Sequence, residues 1–557
     1  DVAPDQPYGK DVSVPEGTSE HDLTLVLGSA AGDELLSYSP PEKAGLPRPE
    51  SVTPPPPPAA IKTVEELYLA GLRLDQFYNA VIDSAPYYSE ALRRDPGDYR
   101  VNTQLGLTAL KGFRWVEAEQ YLRTAVDRIT SHYTMPRDGE AFYYLGLALL
   151  AQGKLQDAYD YLYKASWSVA WHSPAYYSLA LIDCRRNEFA KALAHLDRSI
   201  ITNSENLKAR TLKAVVLRRL NQTAAAQHQL EMLVEKNPLH LWSRNELASL
   251  LAGKGEEQRS LEELASLKGI MRGNPEAYLE LATDYGNYGF WDEAIEVLSR
   301  VDIGQVEDGT RYPMVYYYLG HYWAQKGEKA KALQHYRRAS EMPVDYCFPY
   351  RAESLEVLEA ACQASDSDAR ARYYLGNLLY DHQPSRALRA WEESRQLDGT
   401  FSIVHRNLAH AYARVDKDLG KAVISMERAV EAAPDDPRLY YELDVLYESA
   451  GVSLDRRIDV LERNRVAVDG RVDSITRQVL VYVQSGAWNK AIEELQSHHF
   501  NRWEGGGMVR MLYVDAHLLR GSKQLHDGDS SGALSDFQAA DSYPANLEQG
   551  RPVSSPR

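Results

Sequence analysis

Tyrosine recurs at one position of a repeating pattern in this chain, three residues before a regularly spaced glycine or alanine. In the second half of the chain polar residues follow that glycine or alanine, and arginines lie nearby in both halves. Phenol rings, imidazoles, amides and guanidinium groups offer stacking faces and hydrogen bonds, so this set is suited to binding a ligand. The candidate binding residues of this kind are Tyr143, Tyr177, Arg185, Tyr317, His321, Tyr373, Asn377, Arg406 and His410.

The sequence contains no familiar catalytic or cofactor-binding motif. It has no G-x-S-x-G, no H-E-x-x-H, no P-loop and no Rossmann fingerprint. The adjacent His498 and His499 would point in different directions on a helix, which does not suit joint metal binding. The glycine run 505–507 has no strand before it and no Lys-Ser or Lys-Thr after it, which argues against a phosphate cradle. We therefore expect no cofactor and no metal site.

The elements that must carry the candidate residues are short paired helices. Residues 141–165 predict two helices joined by a tight turn, with small residues where the helices touch and large residues between them. Both kinds of position recur every 34 residues: the small column is Gly146, Ala180, Ala214, Ala248 and Ala282, and the large column is Leu162, Leu196, Leu230, Leu264 and Leu298. This period and this alternation of small and large residues resemble the tetratricopeptide repeat, or TPR.

The repeat predicts an all-α fold, a right-handed TPR solenoid of about a dozen helix–turn–helix units. The first helix of each pair lines a concave groove in such repeats, which places the tyrosine column inside that groove. We expect residues 1–45 to hold a β-hairpin, the end of a β-rich domain, and residues 46–62 to form a proline-rich linker. The repeat array should then run over 63–301 and 302–550, before a disordered tail at 551–557.

The overall charge restricts the class of partner. A net charge of -17 argues against nucleic acid and against anionic membrane surfaces, because both attract clustered lysine and arginine. No run of 18 apolar residues is present, so we expect no membrane span. The 3 cysteines form neither a disulfide framework nor a metal-ligand spacing, which favours a cytoplasmic location.

Several strings exceed what repeat packing demands. They are ELYLAGL at 66–72, EALRRDPGD at 90–98, DGEAFYYLGLA at 138–148, IDCRR at 182–186, CFPYR at 347–351, YYLGNLLYD at 373–381 and WEGG at 503–506. These strings resemble the helical half of a family known by a domain of unknown function, DUF5107. The resemblance implies that a β-rich, mutarotase-like domain precedes the repeats and is missing or truncated here. It also implies a link to carbohydrate and adds Trp503 to the candidate binding residues.

Two functions stay open at this point. The leading hypothesis is a TPR scaffold that binds a protein, a peptide or a carbohydrate-linked partner in its tyrosine-lined groove. The alternative is the helical part of a carbohydrate-active protein, similar to a glycoside hydrolase or a mutarotase. Glycoside hydrolysis needs paired carboxylates. The acids in the strings that carry the resemblance are the candidates for that role: Asp138, Glu140, Asp183, Asp381 and Glu504.

Overall fold

The computed structural model describes residues 9–41, 53–77, 79, 81–133, 138–302, 312–501 and 507–550. Apart from one two-stranded sheet, the regular structure of these residues is helical, which confirms the predicted all-α class. The chain divides into two compact units, the first unit Asp1–Phe290 and the second unit Trp291–Arg557.

The described part of the first unit holds thirteen α-helices, of which the first twelve pack as consecutive pairs. Their bounds are α1 Val64–Gln76, α2 Ala85–Arg94, α3 Tyr99–Lys111, α4 Trp115–Thr130, α5 Glu140–Ala151, α6 Leu155–Ala165, α7 Val169–Arg185, α8 Phe189–Thr202, α9 Leu207–Arg219, α10 Thr223–Lys236, α11 Leu241–Gly253, α12 Glu257–Met271 and α13 Pro275–Gly286.

The described part of the second unit holds fifteen further α-helices. Their bounds are α14 Trp291–Asp302, α15 Pro313–Gln325, α16 Lys329–Ser340, α17 Glu353–Ala364, α18 Ala369–Leu379, α19 Pro384–Leu397, α20 Ser402–Ala411, α21 Leu419–Ala432, α22 Pro437–Ser449, α23 Leu454–Arg463, α24 Arg465–Val468, α25 Val472–Ser485, α26 Trp488–Ser497, α27 Gly507–His526 and α28 Ser530–Asp541. Among the described helices, none combines the length and the apolar character that crossing a lipid bilayer requires.

The small and large columns are the contact between the two helices of a pair. A Cβ added to Gly146 on α5 would lie 2.6 Å from Cγ of Leu162 on α6, so only glycine fits there without displacing the leucine. Ala158, Leu162 and Ala165 on the facing helix are fully buried. Burying one leucine side chain contributes about 1.5–3 kcal/mol, so a column of such contacts holds the hairpins together. The TPR packing predicted from the sequence is therefore the packing observed.

The predicted N-terminal β-hairpin is also present. Strand β1, Leu25–Gly28, pairs antiparallel with β2, Glu34–Tyr38, in the register Leu25 to Tyr38 and Leu27 to Leu36. Gly32 supplies a left-handed backbone conformation in the turn, at a φ of 93°. Every residue of both strands is exposed.

Candidate binding groove

Three successive first helices of the second unit each present one face to a shared cavity of about 820 Å³, here called the groove. On α20 the lining residues are spaced i, i+3, i+4 and i+7, which is one stripe of a helix. Helices α18 and α22 present equivalent stripes on either side. The lining residues include Tyr373, Asn377 and Asp381 from α18 and the turn after it, Ile403, Arg406, Asn407 and His410 from α20, and Arg438, Tyr441, Glu442 and Val445 from α22.

Local sequence fixes where these helices begin and end. The Asp368 side chain accepts a hydrogen bond from the backbone N–H of Ala371 at 2.8 Å and so caps α18. Asp436 caps α22 in the same way, and Pro437 takes the first helical position, where no N–H is needed. Helix α20 runs on into a π-helical turn, Tyr412–Asp416, which places Ala413 and Arg414 on the groove. Such turns recur at functional sites.

A charged network forms one wall of the groove. Arg406 donates from Nε to Glu442 Oε2 at 2.6 Å and from Nη2 to Glu442 Oε1 at 2.5 Å. His410 Nε2 lies 3.1 Å from Glu442 Oε2. Burial acts to raise the pKa of Glu442, but the hydrogen bonds from His410 and Arg406 outweigh burial and hold this pKa at about 2, below the ordinary 4.5. Glu442 is therefore ionised at neutral pH, and its charge is matched by Arg406.

A pair of amide side chains lies on the groove floor. Trp391 Nε1 donates to Asn377 Oδ1 at 3.2 Å, and because an indole N–H can only donate, this contact fixes which end of the Asn377 amide is oxygen. Asn407 Nδ2 donates to the same Oδ1 at 3.0 Å. The NH₂ group of Asn377 carries two N–H donors, of which the Tyr373 hydroxyl can accept one. One N–H of Asn377 and the Oδ1 of Asn407 thus stay open to a ligand, since neither is bonded within the described chain.

Aromatic and charged groups form the rim. Phe348 comes from the segment between α16 and α17, and its side chain is 65% exposed although it lines the groove. Pro349, the next residue, is buried. Tyr441 on α22 is half-buried, and Arg414 and Asp381 are exposed. A ligand would meet these aromatic rings and one exposed charge of each sign.

The groove brings together five residues that the sequence singled out: Tyr373, Asn377, Asp381, Arg406 and His410. Tyr373 lies at the floor, where burial raises its pKa and its ring packs 5.1 Å from that of Phe401. Sequence reasoning missed Asn407, Tyr441, Glu442 and Phe348. The stripe spacing on α20 could have found Asn407, which follows Arg406 directly.

Tyr317 and His321 lie elsewhere in the second unit. The Tyr317 side chain is fully buried on α15, and its hydroxyl donates to Asp368 at 3.1 Å. Burial raises the pKa of Tyr317. His321 is also buried, with Nε2 3.9 Å from Glu356 Oε1, and burial lowers its pKa. Both side chains serve packing in this structure.

In the first unit the predicted inner-face residues are engaged within the unit itself. The ring of Tyr143 stacks on Trp171 with centroids 5.0 Å apart, and burial raises the pKa of Tyr143. The hydroxyl of Tyr177 is hydrogen-bonded to that of Tyr288. Arg185 Nε donates to the backbone oxygen of Asn287 at 2.8 Å. The turn after α13 thus packs against the C-terminal half of α7.

The candidate acids are scattered. Asp183 is fully buried on α7, and its Oδ2 lies 2.7 Å from His195 Nδ1. Asp138 accepts from the Glu140 backbone N–H at 3.0 Å and from Trp171 Nε1 at 2.9 Å, which makes it a helix-start residue. Burial, and secondly the nearby charge of Asp138, raise the pKa of Glu140.

Asp138 and Glu140 line a second cavity of about 780 Å³ in the first unit, together with Tyr68, Tyr99 and Arg100. Of the remaining candidates, Asp381 lines the groove, and Trp503 and Glu504 lie outside the described residues. Among the described residues, one group brings three metal-ligating atoms within 4.8 Å of one another, and it lies outside the groove: Asp469, Glu494 and His498.

A family model described as "Tetratricopeptide repeat" matches residues 83–132 and 127–168, which span α2 to α6. The chain is similar to a solved tetratricopeptide repeat protein from Parabacteroides merdae, at 19% identity over 48% of this chain and 98% of that one, with a TM-score of 0.31. It is also similar to a structure of Naa15/Naa10 bound to HypK-THB, at 14% identity over 86% of this chain and 75% of that one, with a TM-score of 0.26. A third similar structure is YrrB, described as a TPR protein with an unusual peptide-binding site, at 18% identity over 37% and 93% of the two chains and a TM-score of 0.17.

The family match and the hairpin packing agree. Residues 83–168 match the tetratricopeptide-repeat model, and within each of the two units the described helices pack as successive hairpins.

Proposed function

We propose that this protein is an interaction scaffold whose groove binds an extended peptide segment of a partner protein. Tetratricopeptide repeats support a protein-interaction role, because stacked helical hairpins present long inner surfaces rather than enclosed reaction sites. The observation that carries the proposal is the Asn377–Asn407 amide pair on the groove floor.

The pair matches the polar groups of a peptide backbone. In an extended segment the N–H and the C=O of one residue point to the same side. Asn407 Oδ1 offers an acceptor for that N–H, and the open N–H of Asn377 offers a donor for that C=O. Because Trp391 holds Asn377 and Asn377 in turn holds Asn407, little side-chain entropy is lost when the ligand binds.

The walls supply contacts for the side chains of the ligand. Alternate side chains of an extended segment point to opposite sides, so one set would meet Phe348 and Tyr441 while the backbone lies on the amides. Exposed aromatic rings at the rim of a groove are favourable anchors for apolar or proline residues. Arg406 and Glu442 neutralise each other, so they orient the ligand without favouring either charge.

A carbohydrate-linked partner is the alternative that the resemblance to DUF5107 proteins adds. Hydroxyl groups of a glycan could also use the amide pair and the aromatic rim. We favour a peptide, since a neighbouring donor and acceptor suit the N–H and the C=O of one extended residue, and the candidate acids Asp138, Glu140 and Asp183 do not line the groove.

The experiment is a selection of random displayed peptides on the full chain, run beside a glycan array. A selected synthetic peptide is then titrated against the wild type and Asn407→Ala, with Asn501→Ala as an exposed asparagine outside the groove. We expect Asn407→Ala to weaken binding about tenfold or more, since one ligand hydrogen bond loses its partner. Equal affinity in all three proteins would refute the site, and a glycan whose binding is lost in Asn407→Ala would replace the peptide as ligand.

A further inference from the structure

We propose that Asp469, Glu494 and His498 form a binding site for a divalent transition-metal ion of the Zn²⁺ type. Asp469 directly follows α24, Glu494 lies in the last turn of α26, and His498 is the residue after that helix. One ligand atom from each of the three lies within 4.8 Å of the others. Residues four apart on a helix share a face, which explains why Glu494 and His498 meet.

The buried side chain of Glu494 gives the strongest support for a metal site. That side chain is 3% exposed. Oε1 receives Arg465 Nη2 at 2.6 Å, whereas Oε2 accepts no hydrogen bond from any part of the chain that the structure describes. Oε2 lies 3.3 Å from His498 Nδ1, on the side of the cluster. A buried carboxylate oxygen without a partner is costly, and a bound cation would satisfy it.

Nε2 is the ring nitrogen of His498 that can coordinate an ion. Nδ1 lies 3.1 Å from the backbone oxygen of Glu494, so an Nδ1–H donated to that oxygen leaves the Nε2 lone pair free. Nε2 lies 3.9 Å from Asp469 Oδ1. A backbone hydrogen bond on the second ring nitrogen is the usual support of a metal-binding histidine.

Arg465 reduces the negative charge of the site and still leaves one oxygen of each carboxylate available to an ion. Its guanidinium forms an ion pair with Oε1 of Glu494 and lies 3.4 Å from Oδ2 of Asp469. The other oxygen of each carboxylate faces His498. Two carboxylates, one guanidinium and a neutral imidazole sum to one negative charge, which attracts a divalent cation. A histidine nitrogen among the ligands favours Zn²⁺-type ions over Ca²⁺ and Mg²⁺, which prefer oxygen.

The geometry needs only side-chain adjustment. Zinc bonds to nitrogen and oxygen are about 2.0–2.2 Å long, so the ligand atoms must draw closer than 4.8 Å. Asp469, whose side chain is 33% exposed, follows a short helix and His498 follows a helix end, so both can rotate toward a shared ion. The three ligands leave the remaining coordination positions to water. The ion would fasten the C-terminal end of α26 to the segment after α24.

Zinc binding to the full chain tests the proposal. Equilibrium dialysis against Zn²⁺ and calorimetric titration are run on the wild type, His498→Gln and Glu494→Gln. His499→Gln is the matched control, because His499 Nε2 contacts Glu548 Oε1 at 2.9 Å and stands outside the cluster. We expect one bound ion in the wild type and the control, its loss in His498→Gln, and an affinity at least about tenfold weaker in Glu494→Gln.

The thermal midpoint adds a second readout. Zn²⁺ should raise it in the wild type and in His499→Gln, and a chelator should reverse that rise, while His498→Gln shows neither effect. If Glu494→Gln fails to fold, the half-buried His498 still decides the question. Zinc binding that is equal in the wild type and His498→Gln overturns the proposal, and so does a wild type that binds none at about 100 μM, a concentration far above that of a functional site.

Discussion

Arg406 and Glu442 are joined by two parallel hydrogen bonds, Nε to Oε2 at 2.6 Å and Nη2 to Oε1 at 2.5 Å. The two residues belong to consecutive first helices, α20 and α22, so the pair fixes the spacing of the helices that line the groove. His410 adds a contact of 3.1 Å to the same carboxylate. A bidentate pair of this kind is directional as well as strong, so it keeps the groove wall in one geometry for a ligand.

Replacing Glu442 by glutamine should destabilise the protein in a pH-dependent way. The folded pKa of Glu442 is depressed to about 2 from 4.5. Its stabilisation is therefore complete above pH 4.5 and lost as the pH falls toward 2. With allowance for solvent screening we expect a loss of about 2 kcal/mol near pH 7. Urea unfolding of both proteins between pH 7 and pH 3 measures this difference, which should shrink below pH 4.5.

The control for that change is Glu431→Gln. Glu431 pairs with Arg428 at 2.6 Å, but both side chains are more than 60% exposed. Exposed pairs contribute about 0–1 kcal/mol, so we expect little change in unfolding free energy. A Glu442→Gln protein that matches this control at pH 7 would contradict the assignment of a buried, ionised Glu442.

Tyr317→Phe should lower stability and leave ligand binding unchanged. The change removes the hydroxyl that donates to Asp368, the cap of α18, while the buried ring stays in place. Asp368, whose pKa burial raises, loses one of its donors. We expect a loss of about 1–2 kcal/mol of unfolding free energy. Weaker binding of a groove ligand at unchanged stability would instead make Tyr317 a contact residue, as the sequence suggested.

Two glycine-to-alanine changes should have opposite signs. A Cβ on Gly376 of α18 would overlap the Trp391 ring of α19, so Gly376→Ala should cost about 1–3 kcal/mol. Gly269 of α12 has no atom within 4 Å of its would-be Cβ, and Gly269→Ala should stabilise by about 0.5–1 kcal/mol. Thermal and urea unfolding of both variants check the pair. A neutral Gly376→Ala would show that the helix contact is looser than described.

Asp444→Asn should be the most damaging of these substitutions. Asp444 is buried and receives Arg457 Nε at 2.7 Å and Arg477 Nε at 2.6 Å. The neutral amide leaves two buried guanidinium groups with Glu448 as their remaining carboxylate partner among the described residues, so we expect a loss of about 3–5 kcal/mol. Asp455→Asn, at an exposed position one helix later, should change stability by no more than about 0.5 kcal/mol. Similar unfolding midpoints for the two variants would contradict the assignment of Asp444 as the buried partner of both arginines.

The repeat fold was predictable because its signal is local and periodic. The spacing of Gly146 and Leu162 predicted a helix pair, and their close contact confirms it. The same rule identified Tyr373, Asn377, Arg406 and His410, which lie on first helices with a regular glycine or alanine. On α22 the rule failed, because the buried Asp444 takes the place of the small residue and faces Arg457 on α23. Tyr441 and Glu442 were missed for that reason.

Long-range contacts decided which candidates stay accessible, and no periodic pattern encodes them. Tyr177 meets Tyr288 from 111 positions away, and Tyr317 meets Asp368 from 51 positions away. Each hydroxyl is hydrogen-bonded to a partner whose position the repeat spacing does not specify. The approach of Asp469 to His498 depends in the same way on how α24 and α26 pack, which the adjacency of His498 to His499 does not encode.

The most direct test of the central claim is the affinity of a selected groove peptide scanned by single backbone N-methylation. If Asn377 and Asn407 bind the peptide backbone, one N-methyl position should weaken binding to the wild type about tenfold or more, because it removes the N–H that Asn407 accepts. The same N-methyl group should cost little in Asn407→Ala, since that acceptor is already gone. Equal losses in the wild type and Asn407→Ala, or no sensitive position anywhere in the peptide, would contradict backbone recognition by this pair.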